Sequence, residues 1–88
     1  MYYVYVIQSQ MHGRFYIGFT ADIDQRLHTH NSGGNASTKA SRPWKMIYYE
    51  AYLLKVDALG REKFLKSGSG HTYLKKQMRH YIGMAEYR

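Results

Sequence analysis

Eighty-eight residues make one domain, and a chain this short buries only about 60% of the surface its unfolded form exposes. A hydrophobic fraction of 44%, with Tyr supplying ten aromatics against three Phe and one Trp, excludes a disordered chain. Thirteen Lys and Arg against six Asp and Glu leave a net charge of +7, which favours a polyanionic partner, and the absence of Cys excludes disulfides and thiolate metal sites.

Basic residues are denser beyond Trp44 than before it. No stretch approaches the roughly 20 apolar residues of a membrane span, and the N-terminus lacks the charged and apolar regions of a secretory signal. The expectation is a soluble, cytoplasmic protein with no membrane partner.

In chain order, residues 2–8 are aromatic and β-branched and suit a buried strand. Ser9 to Gly13 offers turn residues, and Arg14 to Phe19 reads as a second strand, so the two form an antiparallel hairpin. Pairing Tyr5 with Tyr16 and Tyr3 with Gly18 would place all four on one face, with Phe15, Ile17 and Phe19 on the other. Gly18 would then leave space beside the two phenols. A simple cross-strand aromatic pair explains the tyrosines equally.

Asp22 with Gln25 three residues on has the form of a capping box, predicting a helix from Ile23 to about Asn31 stopped at Ser32-Gly33-Gly34. Arg26 and His30, one turn apart, form a polar stripe beside Ile23 and Leu27. Locally, a solvated arginine and a boundary histidine account for them. Residues 32–43 lack periodicity; Lys39 and Arg42 make this a basic, flexible loop able to contact phosphate, or else an ordinary connector.

Trp44 to Tyr52 reads as a third strand. From Asp57 to Lys66 the spacing is helical, with Ala58, Leu59, Glu62 and Leu65 on one face and Arg61, Lys63 and Lys66 toward solvent. Glu62 interrupts the apolar face. An inward carboxylate costs several kcal/mol unless it meets a cation, so an ion pair and a metal are both open readings. Ser67 to Gly70 reads as a hinge, and a last helix spans about Thr72 to Ile82, with Leu74, Gln77, Met78, Tyr81 and Ile82 inward and Lys75, Lys76 and Arg79 outward. The domain is expected over 1–83, with 84–88 a tail.

Together these residues resemble the GIY-YIG nuclease superfamily, in particular its small stand-alone, excinuclease-C-like members, over nearly the whole chain. Tyr3-Val4-Tyr5 looks like a variant of the GIY element, Tyr16-Ile17-Gly18 is the YIG element unchanged, and Arg26, His30-Asn31, Glu62 and residues 61–68 fall at matching places. The resemblance implies an α+β fold with a three-stranded antiparallel sheet flanked by about three helices. It implies hydrolysis of DNA phosphodiester bonds at one divalent ion, Mg²⁺ or Mn²⁺, on branched, flapped or duplex DNA in repair or recombination.

Carried over by position, Glu62 resembles the metal ligand, one carboxylate plus water and phosphate being normal for Mg²⁺. Tyr5 resembles the tyrosine that takes a proton from water or attacks directly; a phenol of ordinary pKa near 10 would need nearby positive charge to serve at pH 7. Arg26 resembles the phosphate clamp, Tyr16 and His30 resemble residues that position the nucleophile, and Gly18 keeps the backbone close.

Tyr3 stands where the motif has glycine, and no asparagine follows Asn35 to match the one that larger relatives carry near the metal helix. With no separate DNA-binding module in this sequence, grip must come from Lys39, Arg42, Lys75, Lys76 and Arg79, from a homodimer, or from a partner supplying DNA specificity. Two other classes remain open: a nucleic-acid-binding module without activity, and a protein-interaction domain using the tyrosines.

Overall fold

A computed structural model describes residues 1–86. Its elements are β1 (Tyr2–Ser9), β2 (Phe15–Thr20), α1 (Ile23–Ser32), a 3-10 turn (Lys39–Ser41), β3 (Trp44–Tyr52), α2 (Lys55–Leu65), α3 (Gly68–Gln77) and α4 (Arg79–Glu86). The expected α+β fold is present: the strands form one antiparallel sheet in the order β2-β1-β3. No helix among the described residues is long and apolar enough to cross a membrane.

Central β1 explains the unbroken apolar run of Val4, Tyr5, Val6 and Ile7, each at most 1% exposed, because both faces of the strand are covered. On one face Val4, Val6 and Ile17 pack with Ala58 and Leu65 of α2, Leu74 of α3 and Met78. On the other, Tyr5, Ile7 and Trp44 pack with Tyr16, Ile23, Leu27 and Met46.

The hairpin register differs from the predicted one by two residues. Tyr5 lies opposite Gly18, Tyr3 opposite Thr20, and Ile7 opposite Tyr16. An even shift keeps every side chain on its expected face, so the two-face assignment stands. The cause is the turn: Ser9 N–H donates to Arg14 O, and Gly13 adopts a left-handed φ of 79°. The predicted pairing would have put Gly13 in the strand, where that conformation has no place.

Asp22 caps α1 by accepting from Gln25 N–H, and Gly33 ends it at φ 84°. The following segment is not the flexible loop expected. Ser9 Oγ donates to Ser41 O and Gln10 N–H to Pro43 O, tying it to the hairpin end, and Trp44 Nε1–H donates to Thr38 O.

The helical part also departs from expectation. Among the described residues the last predicted helix is divided in two, because Met78, at φ −107° and ψ 21°, separates α3 from α4. The predicted hinge is instead a cap and first turn: Ser67 Oγ accepts from Gly70 N–H. Gln77 is exposed rather than inward, and α4 continues through residues 84–86, expected as tail; residues 87–88 lie outside the described residues. Leu59 is likewise 41% exposed rather than part of the core.

Arg61 is half-buried in an ion pair rather than free in solvent as predicted. Its Nε and Nη2 grip the two oxygens of Glu50 at 2.8 and 3.1 Å, while Tyr48 and Tyr52 donate their hydroxyls to the same carboxylate. The guanidinium also lies over the Tyr73 ring, 4.6 Å from its centroid. Burial alone would raise the Glu50 pKa, but these bonds hold it below its usual range.

Gly70 is where α3 meets the end of α2. A Cβ there would collide with the Phe64 carbonyl, which is backbone and cannot step aside, whereas Gly60 in the middle of α2 has nothing within 4 Å. Gly60→Ala is expected to stabilise by up to about 1 kcal/mol, and Gly70→Ala to destabilise by about 1–3 kcal/mol or more. At roughly 4–8 °C per kcal/mol, thermal unfolding followed by circular dichroism would show the two Tm shifts in opposite directions.

Candidate active site

A tyrosine on the central strand, a histidine on α1 and a threonine from the connection after α1 form one buried line. The Tyr5 hydroxyl lies 2.7 Å from His30 Nε2, and His30 Nδ1 lies 2.7 Å from Thr38 Oγ1. Tyr5 and Thr38 are 1% exposed and His30 is 0% exposed. Thr38 Oγ1 also lies 3.4 Å from the Asn35 carbonyl. In the tautomer that carries its proton on Nδ1, Thr38 accepts from the ring and the Nε2 lone pair faces the Tyr5 hydroxyl.

Burial, and then the positive field of Arg26, lower the His30 pKa and keep the ring neutral. Burial is also the main cause that raises the Tyr5 pKa, with Tyr16 and Glu62 raising it further and Arg26 opposing them. The expected lowering of the phenol pKa is therefore absent. Arg26 acts in the anticipated direction, but desolvation outweighs it.

Tyr16 completes the cluster, with its ring 5.1 Å from that of His30 and 6.2 Å from that of Trp44. Gly18 is required by contact: a Cβ would run into the Tyr5 hydroxyl and ring, which His30 holds in place. Tyr16 and Arg26 are half-buried and provide the accessible part of the group.

Glu62 comes from α2, on the opposite side of the sheet from α1, and only its field at Tyr5 links it to the cluster. Its side chain is 21% exposed, and Oε2 pairs with Lys66 Nζ at 3.1 Å, so the ion-pair reading from sequence is realised. The pair is an i,i+4 contact to a half-exposed lysine, worth a few tenths of a kcal/mol, and presents little obstacle to a stronger cation. Among the described residues no group of three His, Cys, Asp or Glu could hold a metal. The donor set therefore fits a cation that keeps most of its water, such as Mg²⁺, and does not fit zinc.

Lys39 and Arg42 lie on the same connection as Thr38, with Lys39 exposed and Arg42 Nε–H donating to Lys39 O at 2.8 Å. Lys75, Lys76 and Arg79 are exposed on the helices of the other face and do not join the tyrosine cluster. Sequence reasoning missed two residues. Thr38 was unreadable in a polar run without periodicity. Asn31, noted beside His30 but given no role, clamps the start of β3 by donating to Trp44 O at 3.0 Å and accepting from Trp44 N–H at 2.6 Å.

With known proteins, the family model of the GIY-YIG catalytic domain matches residues 1–77. A UPF0213 protein of Streptococcus agalactiae is 37% identical over 78 residues, covering 84% of this chain and 88% of its own length. One from Lacticaseibacillus paracasei is 41% identical over 71 residues, covering 80% and 79%. One from Bacillus pumilus is 37% identical over 82 residues, covering 92% and 78%.

Two outcomes test the buried line. Thr38→Val leaves His30 Nδ1–H without a partner and is expected to cost about 1–3 kcal/mol, most of it restored in Thr38→Ser; chemical denaturation measures both. Because the folded His30 pKa is below its unfolded value of 6.5, the unfolded state binds the extra proton and stability falls as pH drops below about 6.5. The Glu50 carboxylate, held below its ordinary 4.5, adds a second loss below that pH. Thermal midpoints against pH, with the His30 ring titration by NMR, would show the first limb disappear in a variant whose residue 30 does not ionise.

Proposed function

The chain belongs to the GIY-YIG family, and from that premise we propose that it is a divalent-metal-dependent endonuclease hydrolysing DNA phosphodiester bonds, with structure-specific cutting in repair or recombination as its use. The observation that carries this reading is the buried 2.7 Å contact between the Tyr5 hydroxyl and Nε2 of a His30 ring whose pKa is lowered. It is a base already oriented toward a proton.

Hydrolysis needs a proton removed from the attacking water. With its pKa raised by burial, Tyr5 does not lose its proton to solvent at rest. The arrangement instead suits a concerted shift in which the water proton passes to the Tyr5 oxygen while the Tyr5 proton passes to His30 Nε2. No free phenolate then accumulates. His30 ends as an imidazolium, held through Nδ1–H by Thr38. Burial of the Tyr5 ring favours this relay over direct attack by the phenol.

Arg26, half-buried and already acting on both Tyr5 and His30, meets the phosphate and offsets negative charge as it builds in the transition state. Tyr16, packed on His30, orients the nucleophile. Glu62 would hold the ion, Mg²⁺ or Mn²⁺, with water and phosphate oxygens completing its shell. When bound, that ion supplies charge neutralisation at the scissile phosphate. Lys39 and Arg42 lie near enough in sequence to Thr38 to contact the strand being cut, and a homodimer or a partner protein would add specificity.

The test is incubation with nicked, flapped, branched and plain duplex DNA, with Mg²⁺, Mn²⁺ or chelator. Cleavage is expected only with metal, with losses of about 10²-fold or more for Tyr5→Phe and Arg26→Ala and complete loss for Glu62→Ala. Cutting that survives Glu62→Ala rejects the metal assignment. Salt-sensitive binding with no cutting of any substrate would establish the inactive binding module instead.

A further inference from the structure

A concavity lies on the face of the sheet turned away from Tyr5. It is a cleft of about 760 Å³ between the hairpin end and helices α3 and α4. Its apolar side includes Phe15 and Ile82, and Tyr81 stands beside them with its hydroxyl donated to Gln8 Oε1. Arg14, Lys75 and Arg79 line it as well, and none of the described residues lining it is acidic. The volume lies within the range of small-ligand sites.

We propose that this cleft is a second nucleic-acid site that takes an unpaired strand, a base resting against Phe15 and Tyr81 and the flanking phosphates meeting Arg14, Lys75 and Arg79. The pairing of an aromatic, apolar wall with a cluster of cations is the chemistry of single-strand recognition. Stacking on a ring is indifferent to sequence, and phosphate contacts track the backbone. A duplex keeps its bases stacked on one another and cannot offer one to Phe15, so the cleft discriminates for unpaired strands.

The proposal deepens the nuclease reading and rests on it for biological meaning. Tyr5, Tyr16 and His30 lie on the face of the sheet turned away from the cleft, whereas Glu62, on α2, shares the cleft's side. A strand in the cleft is therefore not the one beside Tyr5, and the preferred substrate has an unpaired arm next to the cut, as in a flap or a branch. Lys75 and Arg79 thereby act on the substrate's geometry rather than as a general basic surface.

The experiment measures binding of a labelled single-stranded oligonucleotide of about eight nucleotides and its duplex counterpart, by fluorescence anisotropy in chelator over a range of salt. Expected are a preference for the single strand, at least about tenfold weaker binding by Lys75→Gln/Arg79→Gln, and a salt slope flatter by about 1.4 for two lost phosphate contacts. Lys55→Gln/Lys63→Gln, an equal charge change on exposed residues outside the cleft, is expected to leave the slope unchanged. Equal losses from both double variants, or a duplex bound as tightly as the single strand, overturn the proposal. Such a result leaves metal-dependent cleavage untouched, while intact single-strand binding with no cleavage of any DNA sinks the nuclease reading alone.

Discussion

A neutral imidazole with both nitrogens occupied, sealed between a strand and a loop, is the constraint on which one whole face of this domain depends. Leaving either nitrogen of His30 without a partner would cost about 1–3 kcal/mol in an interior site. The partners come from distant parts of the chain: Tyr5 from the central strand and Thr38 from the connection beyond α1. Satisfying His30 therefore fixes where that connection runs, and the same segment then accepts the Trp44 indole N–H and leads into β3. The contacts of the candidate site and the packing of this layer are one set.

The sheet divides labour between its faces. Toward α1, aromatic rings and the histidine form a layer able to move protons. Toward α2, α3 and α4, aliphatic side chains form the larger core, and the Glu50 carboxylate is held by Arg61, Tyr48 and Tyr52. Glycine marks the tight approaches on each side: Gly18 lets the Tyr5 ring lie across β2, and Gly70 lets α3 start against the last turn of α2. A small domain with few core layers uses such approaches to reach dense packing without more chain.

Glu62 illustrates how a field differs from a contact. Its carboxylate contributes to raising the Tyr5 pKa while its direct partner is Lys66, the residue that caps its own helix. A cation bound there would reverse the sign of the charge felt by the phenol, which gives ion binding a route to influence proton transfer without any movement of the backbone. In the absence of such a charge, desolvation dominates and the site stays protonated on Tyr5.

Much of this was legible along the chain. The strands, the Asp22 cap, the Gly33 stop and the two faces of the hairpin follow from residue type and spacing, and the family pattern pointed to Tyr5, Tyr16 and His30, which the fold brings together. Periodicity reports faces, and capping is local, so both are visible without a fold. Whether Tyr5 meets Tyr16 or Gly18 depended on the length of a turn set by Gly13. The roles of Thr38 and Arg61, and the break at Met78, depended on partners far away in sequence, where no local preference reaches. The sequence alone determined which side chains share a face and which chemistry they could support. Only the tertiary structure decided which atoms touch, because pKa direction, tautomer and cleft shape arise from burial and distance between segments that the chain order leaves apart.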